Sequence, residues 1–392
     1  MKRVVSRWIA LPMLAWAGGA LLAQSQTPSD TSEEVTVLSP FVLSERASDG
    51  TRITEATSGT LVARPLEKMP MGISVVGSEE LQRLSVFNAD MLTLVVPGIA
   101  DQNAGSTAGD TNNTQFTSRG FTVLPHLNGF APGGRLYDMT NVDRVEVVRG
   151  PNSLLYGQSD PGGVINFITK RPVLRDRTVA HGTVSVGAGS YDFYRTELDA
   201  DLTLVPGKLG FRLPASFTDS QREIQYFRNK VTSINPSVLW RAFHNTEIGL
   251  EYDYLHYDTT PAPMRPFIWT PPGSTHPIMD FTNQGLGSDY NPYGPYSHST
   301  TTQKNWFVDI TSRLTDHITF HGIYSDNKRA NNDVTLNIPG GGIFSLTGPT
   351  VNYRGLDAID GNHIHGYKLD LLGEWTFGAV TTRTIAGYEY ND

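Results

Sequence analysis

Few residues of this chain stand in an arrangement that could catalyse a reaction or bind a metal ion. His363 and His365 come closest, because alternate residues of a β-strand share a face and two imidazoles could then bind one cation. No Asp or Glu lies at a helpful spacing, so we predict no metal site there. Residues 340–342 are glycines without the lysine and the strand–helix context of a phosphate-binding loop, and no G-x-S-x-G elbow is present. The sequence therefore offers no support for an enzyme, and we predict no resident cofactor.

The overall composition argues against a disulfide-rich protein, a cysteine-based metal or redox protein and a nucleic-acid-binding protein. The chain has 392 residues, no cysteine and a formal net charge of −8. Without cysteine there is no disulfide scaffold and no cysteine-based zinc or redox centre, and an acidic chain lacks the basic face of a nucleic-acid-binding protein. A hydrophobic content of 39% suits a soluble protein. It equally suits a transmembrane barrel, whose strands hide half of their residues in a polar lumen.

The N-terminus has the pattern of a secretory signal peptide. Lys2, Arg3 and Arg7 precede an apolar run over residues 8–23 that ends in small residues. A membrane anchor is the alternative, but Pro12 interrupts the run and a spanning helix needs about 20 apolar residues. We therefore predict an exported protein with a signal peptide at residues 1–23, and any later membrane crossing must use β-strands.

Residues 141–172 hold the elements around which the rest of the chain is organised. Residues 145–148 and 164–169 are rich in Val, Ile and Phe, which favour strands. Between them a Gly-Pro step can open one helical turn over residues 152–156, which Gly157 closes. The prediction is a strand, a helical turn, a glycine turn and a second strand.

This stretch closely resembles the end of the plug domain of TonB-dependent outer-membrane receptors. The family pattern has an arginine and a glutamate in a first strand, then an R-G-P-x-S-x-L-Y-G turn, then a G-G-V-I-N strand that ends in T-K-R-P. A soluble αβ fragment with glycines by chance is the alternative. The resemblance implies a structural role in the plug for the matching residues Arg144, Glu146, Arg149, Gly150, Pro151, Tyr156, Gly157, Gly162, Gly163 and Asn166.

The segment before the plug predicts a flexible arm. Residues 24–58 are rich in Ser, Thr and Glu and poor in aromatic residues. Inside this arm, a short patch of alternating Thr and Val could add itself to the edge of a partner's sheet. An incidental strand-prone run in a tail is the alternative. By resemblance the patch is the TonB box, which consists of Glu34, Val35, Thr36, Val37 and Leu38.

The predicted plug spans residues 59–172 and mixes short helices with short strands, which makes it an α+β domain. Its elements are predicted from strand-prone runs, from helix caps and from an Asn-Gly turn. In chain order they are a strand at 72–76, a helix that Ser78 caps, a helix over 89–95, a strand at 115–119 and a turn at Asn128 and Gly129.

From residue 173 to residue 392 apolar and polar residues alternate. In residues 194–204 and 247–254 the polar positions are mostly carboxylates. Alternation alone would also suit a soluble sandwich, but the strand length, the aromatic ends and the upstream plug favour an antiparallel transmembrane β-barrel. We count about nine strands, interrupted by inserts at 258–303 and 328–364. Receptors of this family close with about 22 strands, so we expect a truncated barrel, from either a truncated gene product or a partial sequence.

The resemblance also implies a function. The chain would be part of a receptor in the Gram-negative outer membrane, in contact with its lipid, that takes up a ferric siderophore. TonB would capture the arm and, with ExbB and ExbD, supply the energy. A receptor for cobalamin or a saccharide, and a passive porin or adhesin barrel, are the alternatives. The plug-loop residues that combine cationic and ring character suit an anionic iron chelate, and they are Arg119, Phe121, His126, Arg135 and Tyr137.

Overall fold

Short strands and single helical turns build the first part of the chain, and long strands build the rest. The computed structural model describes residues 55–56, 58, 64–68, 72–101, 116–123, 125–130, 138–150, 161–260, 268–269, 289, 291, 295, 297–337, 343–344, 354–378 and 380–392. Within these residues no helix is both long enough and apolar enough to cross a membrane. The predicted signal peptide, the TonB box and the helical turn over residues 152–156 lie outside the described residues.

The elements of the first part are short. Its strands are β1 (Glu55–Ala56), β2 (Arg64–Pro65), β3 (Gly72–Gly77), β4 (Ile99–Asp101), β5 (Phe116–Ser118), β6 (Phe121–Val123), β7 (Pro125–Leu127), β8 (Val142–Arg149) and β9 (Gly163–Thr169). Its helices are α1 (Ser78–Arg83) and α2 (Leu92–Val95), with 3-10 turns at Leu66–Lys68, Ala89–Met91 and Met139–Asn141.

The strands of the second part are much longer. They are β10 (Val179–Gly189), β11 (Phe193–Val205), β12 (Leu209–Gln221), β13 (Arg228–Ile234), β14 (Ser237–Phe243), β15 (Thr246–Thr259), β17 (His298–Arg313), β18 (Ile318–Asn337), β20 (Arg354–Phe377) and β21 (Val380–Asn391). Two short strands, β16 (Ile268–Trp269) and β19 (Ile343–Phe344), pair with each other in parallel.

The two strands predicted around the glycine-rich turn, β8 and β9, form the centre of a four-stranded sheet. The strand order is β3–β8–β9–β7, and only the β7–β9 pair is parallel among these described strands. Nearly every residue of β8 and β9 is buried. Their continuous rather than alternating apolar runs are typical of strands that are covered on both faces.

The predicted Asn-Gly turn is confirmed. Asn128 and Gly129 have φ angles of 51° and 87°. Leu127 and Phe130 close the turn with mutual backbone hydrogen bonds of 2.9 Å and 3.0 Å. Two consecutive positive φ angles define the type I′ turn, which favours Asn followed by Gly.

One helix cap was predicted at the wrong residue. Ser78 is the first residue of α1, whose N-cap is Gly77, and no side chain caps this helix. The second helix has the predicted extent, but its first turn is a 3-10 turn over Ala89–Met91. There the Asn88 side chain accepts a hydrogen bond from the Met91 N–H at 3.2 Å. Asn and Ser are both favourable N-cap residues. Which residue occupies the N-cap position depends on where the helical backbone begins.

The long strands form one antiparallel sheet of ten strands in nine positions, which agrees with the nine strands predicted. Its order is β10–β11–β12–β13–β15–β17–β18–β20–β21. The tenth strand, β14, shares a position with β13, because both pair with β12 on one side and with β15 on the other. Pro236 separates them, and its missing N–H interrupts the ladder there.

The two faces of this large sheet have opposite character, as the alternation predicts. One face is buried and mostly polar; on β17 it carries Ser299, Thr301, Gln303, Asn305, Phe307, Asp309 and Thr311. The residues between them, including Trp306 and Ile310, lie on the other, exposed face. Aromatic rings meet across strands there, and the Tyr252 and Trp306 ring centres are 4.4 Å apart. An apolar outer face with aromatic rows and a polar inner face is the pattern of a barrel wall.

A single apolar cluster joins the first part to the inner face of the large sheet. Most of its members come from the first part, including Val145, Ile165 and Phe167, all of which are fully buried. Phe307 of β17 and Ile323 of β18 belong to the same cluster. The first part therefore packs against the inner face of the sheet.

The inserts between strands are shorter than predicted. β15 continues to Thr259 and β17 begins at His298, while β18 continues to Asn337 and β20 begins at Arg354. The added strand residues are mostly polar and do not alternate with apolar ones. A strand that extends beyond the apolar band needs no apolar face, so alternation gave no signal there.

Candidate functional site

The predicted ligand-binding residues fall in different environments. Arg119 and Gly120 form the turn between β5 and β6, with φ angles of 53° and 84°. Phe121 follows on β6 with 50% of its surface exposed. His126 lies on β7, where it is buried and in register with Asn166 of β9. The structure brings Arg119 and Phe121 to one exposed turn, places His126 in the interior and does not describe Arg135 or Tyr137.

A second arginine lies beside this exposed turn. Arg149 ends β8 and donates hydrogen bonds to the Ser74 hydroxyl at 2.8 Å and to the Pro97 carbonyl at 2.7 Å. Burial, and after it the nearby charge of Arg119, lower the pKa of Arg149. The positive charges of Arg119 and Arg149 act on each other here, and together they create a positive potential that attracts an anion.

The motif residues Arg144, Glu146 and Asn166 are buried in the central sheet. The Arg144 Nε donates to Glu146 Oε1 at 2.8 Å within β8. Asn166 lies on β9 directly opposite Glu146. A buried carboxylate requires a cation and hydrogen-bond donors, and Arg144 supplies part of both.

The motif glycines hold backbone that other residues rarely adopt. Gly150 and Gly163 have φ angles of 98° and 116°. A Cβ atom on Gly163 would overlap the carbonyl of Val148, and one on Gly162 would press on the Val123 side chain. The glycines thus allow β8, β9 and the β5–β6 hairpin to approach closely. The remaining motif residues, Pro151, Tyr156 and Gly157, lie outside the described residues.

The densest polar contacts join the first part of the chain to the inner face of the large sheet. Arg195 of β11 donates two hydrogen bonds to the Asp138 carboxylate, at 2.9 Å and 3.0 Å. It also donates to the Thr140 hydroxyl at 2.7 Å and the Thr218 hydroxyl at 2.6 Å. The Arg195 guanidinium lies 4.9 Å from the centre of the Phe87 ring. The Arg195 and Asp138 side chains are only 4% and 3% exposed.

Asp138 stays ionised in this buried place. Burial alone would raise its pKa, but the charge and hydrogen bonds of Arg195, together with those of Thr140, lower the pKa below its ordinary value. Asp138 also accepts the Thr140 N–H at 2.9 Å and so caps the 3-10 turn Met139–Asn141. One carboxylate therefore fixes both a turn and its docking onto the sheet.

Asn141, at the end of this turn, lies between two carboxylates of the sheet. Its amide nitrogen donates to Glu251 Oε1 at 3.0 Å and to Asp253 Oδ1 at 2.7 Å. The Thr169 hydroxyl donates to the other Glu251 oxygen at 2.7 Å. Glu251 and Asp253 are buried on the inner face of β15, so these donors replace water that the carboxylates have lost.

The segment that leads from the first part to the large sheet is held by ion pairs. Three of its cations each meet a carboxylate on the inner face of the sheet. The pairs are Lys170 with Asp199 at 2.7 Å, Arg171 with Asp309 at 2.8 Å and Arg175 with Asp201 at 2.8 Å. The chain thus crosses from one part to the other along a series of matched charges.

The contacts of this interface were not predicted from the sequence, although part of the signal was present. Alternation places Asp199 and Asp201 on one face of β11, and it places Glu251 and Asp253 on one face of β15. Carboxylates on a covered face require partners. Which partner each one has depends on the docking of distant segments, and no local pattern contains that information.

The comparison with known families decides what the first part is. Residues 65–164 match the family model described as TonB-dependent Receptor Plug Domain. These residues are a TonB-dependent receptor plug domain. The match covers both α-helices of the plug, its exposed turn at Arg119 and all of β8, and it confirms the family that the motif resembles.

Known receptors are similar to more of the chain. The metal-pseudopaline receptor CntO of Pseudomonas aeruginosa is 29% identical over 62% of this chain and 34% of the relative. The ferrichrome outer membrane transporter/phage receptor of Escherichia coli K12 is 25% identical over 71% of this chain and 38% of the relative. The chain therefore spans little more than a third of the length of these curated relatives.

A solved structure shows the same fold. The crystal structure of the ferripyoverdine receptor of the outer membrane of Pseudomonas aeruginosa, bound to ferripyoverdine, superposes with a TM-score of 0.77 at 19% identity. The superposition covers 88% of this chain and 45% of that receptor. The predicted fold class, an α+β plug followed by antiparallel strands of a barrel, is confirmed.

Proposed function

We propose that the chain is the plug and the first part of the barrel of an outer-membrane receptor that takes up a ferric siderophore with energy from TonB. The observation that carries the proposal is a plug domain packed on the polar face of a sheet whose other face is apolar. Such a sheet can separate lipid from a polar lumen, and a plug in that lumen makes passage conditional on its movement. The names of the relatives point to a metal chelate as the cargo.

In this proposal the ferric chelate binds between loops of the plug and long loops of the barrel. Arg119 supplies positive charge for an anionic chelate, and Phe121 supplies a ring that packs on its apolar parts. We propose the same role for Arg135 and Tyr137, which have the same cationic and ring character and lie outside the described residues. His126 is buried on β7, so in this proposal it does not contact the ligand directly.

Binding of the chelate then loosens the part of the arm that precedes β1 into the periplasm. TonB pairs with the TonB box at residues 34–38 by strand addition, in which main-chain hydrogen bonds supply the affinity. ExbB and ExbD drive the pull on the arm, and the plug shifts to open a path. This order of events makes uptake depend on the arm while binding at the cell surface does not.

Uptake of radioactive iron in a siderophore by iron-limited cells tests the proposal. The full-length receptor should take up iron only in the presence of TonB, and deletion of residues 33–38 should abolish uptake but not surface binding. Deletion of residues 27–32, an equally long piece of the arm, is the matched control and should leave uptake intact. Uptake that survives the first deletion would favour a passive porin. Co-purified cobalamin or saccharide, identified by mass spectrometry, would refute the siderophore as cargo.

A further inference from the structure

The chain is fastened inside the plug at Ser58, the last residue of the predicted arm. The Ser58 N–H donates to Glu146 Oε2 at 2.6 Å, and the Asn166 amide donates to the Ser58 hydroxyl at 3.0 Å. Ser58 is 1% exposed, and Ala56, two residues earlier, is fully buried. The fastening therefore lies in the interior of the plug and not on its surface.

Both partners of Ser58 stand on the central strands of the plug sheet. Glu146 of β8 and Asn166 of β9 lie directly opposite each other in register. Each has a further bond within the plug: Glu146 Oε1 accepts from the Arg144 Nε at 2.8 Å, and Asn166 Oδ1 accepts from the Gly129 N–H at 3.0 Å. Ser58 is thus connected to the best-buried part of the domain through a continuous polar network.

The bond to Glu146 is stronger than an ordinary surface contact. The Glu146 side chain is fully buried, and a hydrogen bond to an ionised acceptor is roughly twice as strong as one between neutral groups. In a place that water does not reach, a bond of this kind is also costly to leave unmade. Detaching Ser58 is therefore much less favourable than detaching a residue on the plug surface.

We infer that Ser58, Glu146 and Asn166 form an arm clamp, through which a pull on the arm reaches the central sheet of the plug. The inference rests on the proposed function, because it needs a partner that pulls the arm. A load on the TonB box first passes along residues 39–54, which reach about 55 Å when extended. It then meets the two-residue β1–β2 pair and the arm clamp. β3, which pairs with β8 from Gly72 onwards, bears the load only after the arm clamp has opened.

A reversible cross-link across the arm clamp tests the inference in the full-length receptor. The chain has no cysteine, so S58C and N166C introduce the only thiols in this part of the receptor. The oxidised S58C/N166C variant should bind the ferric siderophore at the cell surface as the wild type does but lose at least tenfold in uptake. A reductant should restore uptake.

The control variant places a cross-link away from the arm. D192C/Q221C joins two exposed side chains at the rim of β11 and β12, whose polar atoms are 2.9 Å apart, and its oxidation should leave uptake unchanged. Uptake by fully cross-linked S58C/N166C within twofold of the wild type overturns the inference, and so does an equal loss in the control. Absence of uptake by the wild type in the same assay would instead refute the proposed function.

A second measurement tests Glu146 without a cross-link. With S58C as the thiol, E146Q should raise the rate of maleimide labelling about tenfold in outer-membrane vesicles, because the ionised acceptor is lost. E80Q, on the exposed side of α1, should leave the rate unchanged. Labelling of S118C, a buried site on β5, should also stay unchanged in E146Q. An unchanged rate at S58C, or an equal rise at S58C and S118C, overturns the arm clamp.

Discussion

The D138N substitution tests whether a buried ion pair holds the plug on the sheet. Asparagine keeps the size of Asp138 and one acceptor oxygen but removes the charge. Arg195 then loses a charged partner at a position where its side chain is only 4% exposed. It keeps Glu197 at 2.5 Å and the Thr218 hydroxyl at 2.6 Å, so its charge is still partly compensated.

The size of the effect follows from these contacts. Removing one partner of a buried ion pair destabilises a protein by about 3–5 kcal/mol. Each hydrogen bond to a charged group contributes roughly 1.5–3 kcal/mol, and the asparagine side chain of D138N can retain one of the two in weaker form. Because Glu197 still offsets the charge of Arg195, we expect the lower end, about 3 kcal/mol. That value corresponds to a change of roughly 100-fold in the equilibrium for undocking of the plug.

Hydrogen exchange of the receptor in detergent micelles at neutral pH measures this equilibrium. The amides of β8 and β9 exchange when the plug opens, and D138N should speed their exchange about 100-fold. The matched control is D219N. Asp219 also accepts two hydrogen bonds from one arginine, from the Nε and Nη2 of Arg228 at 2.9 Å and 2.6 Å, but the Arg228 side chain is 53% exposed. D219N should change exchange less than twofold. Equal exchange in D138N and the wild type, or equal effects of D138N and D219N, would refute the role of the buried pair.

Three further predictions concern the same docking contacts and the plug sheet. The pKa of Asp138 is lower in the folded state than the ordinary aspartate value of about 3.9. Its stabilisation is therefore complete above that value and is lost as the pH falls through the folded pKa, so the protection of the β8 amides, relative to their intrinsic exchange rate at each pH, should fall with acid in the wild type but less steeply in D138N. N141L removes the donor between two buried carboxylates and should destabilise docking by about 3 kcal/mol, measured by the same exchange. G163A places a side chain at a φ of 116° against the β8 backbone and should lower the amount of folded receptor in the outer membrane several-fold, measured by immunoblot. G72A, where a Cβ meets open space, should not.

The strands and their faces could be predicted from the sequence because both are local properties. A strand exposes alternate residues to opposite sides, so the apolar and polar positions of β11, β15 and β17 are visible in the printed order of residues. The continuous apolar runs of β8 and β9 are equally visible. The inserts were predicted to be too long for the same reason. The strand ends beside them show no alternation of apolar and polar residues, so the sequence did not mark them as strands.

The contacts of the interface could not be predicted because they are not local. Asp138 and Arg195 are 57 positions apart, and Asn141 and Glu251 are 110 positions apart. Their contact depends on the register of several strands and on the docking of the plug as a body. The plug motif was recognisable from its sequence alone. The hydrogen bond between Ser58 and Glu146 joins residues 88 positions apart, so only the folded structure reveals it.

The polar character of the interface explains how a plug can be firmly held and still be displaced. Removing one partner of a buried ion pair leaves a buried charge that is only partly compensated, which is why D138N is costly. Undocking is different, because both Asp138 and Arg195 then return to water and recover the hydration that they lost. When an apolar interface opens, no favourable hydration is recovered, and the free energy cost is about 25 cal/mol for every Å² of apolar surface exposed to water. Among the described residues, the sheet contributes only Phe307 and Ile323 to the apolar cluster of the plug. When a plug docked in this way leaves the inner face, little apolar surface of the sheet becomes exposed, which suits the displacement that the proposed function requires.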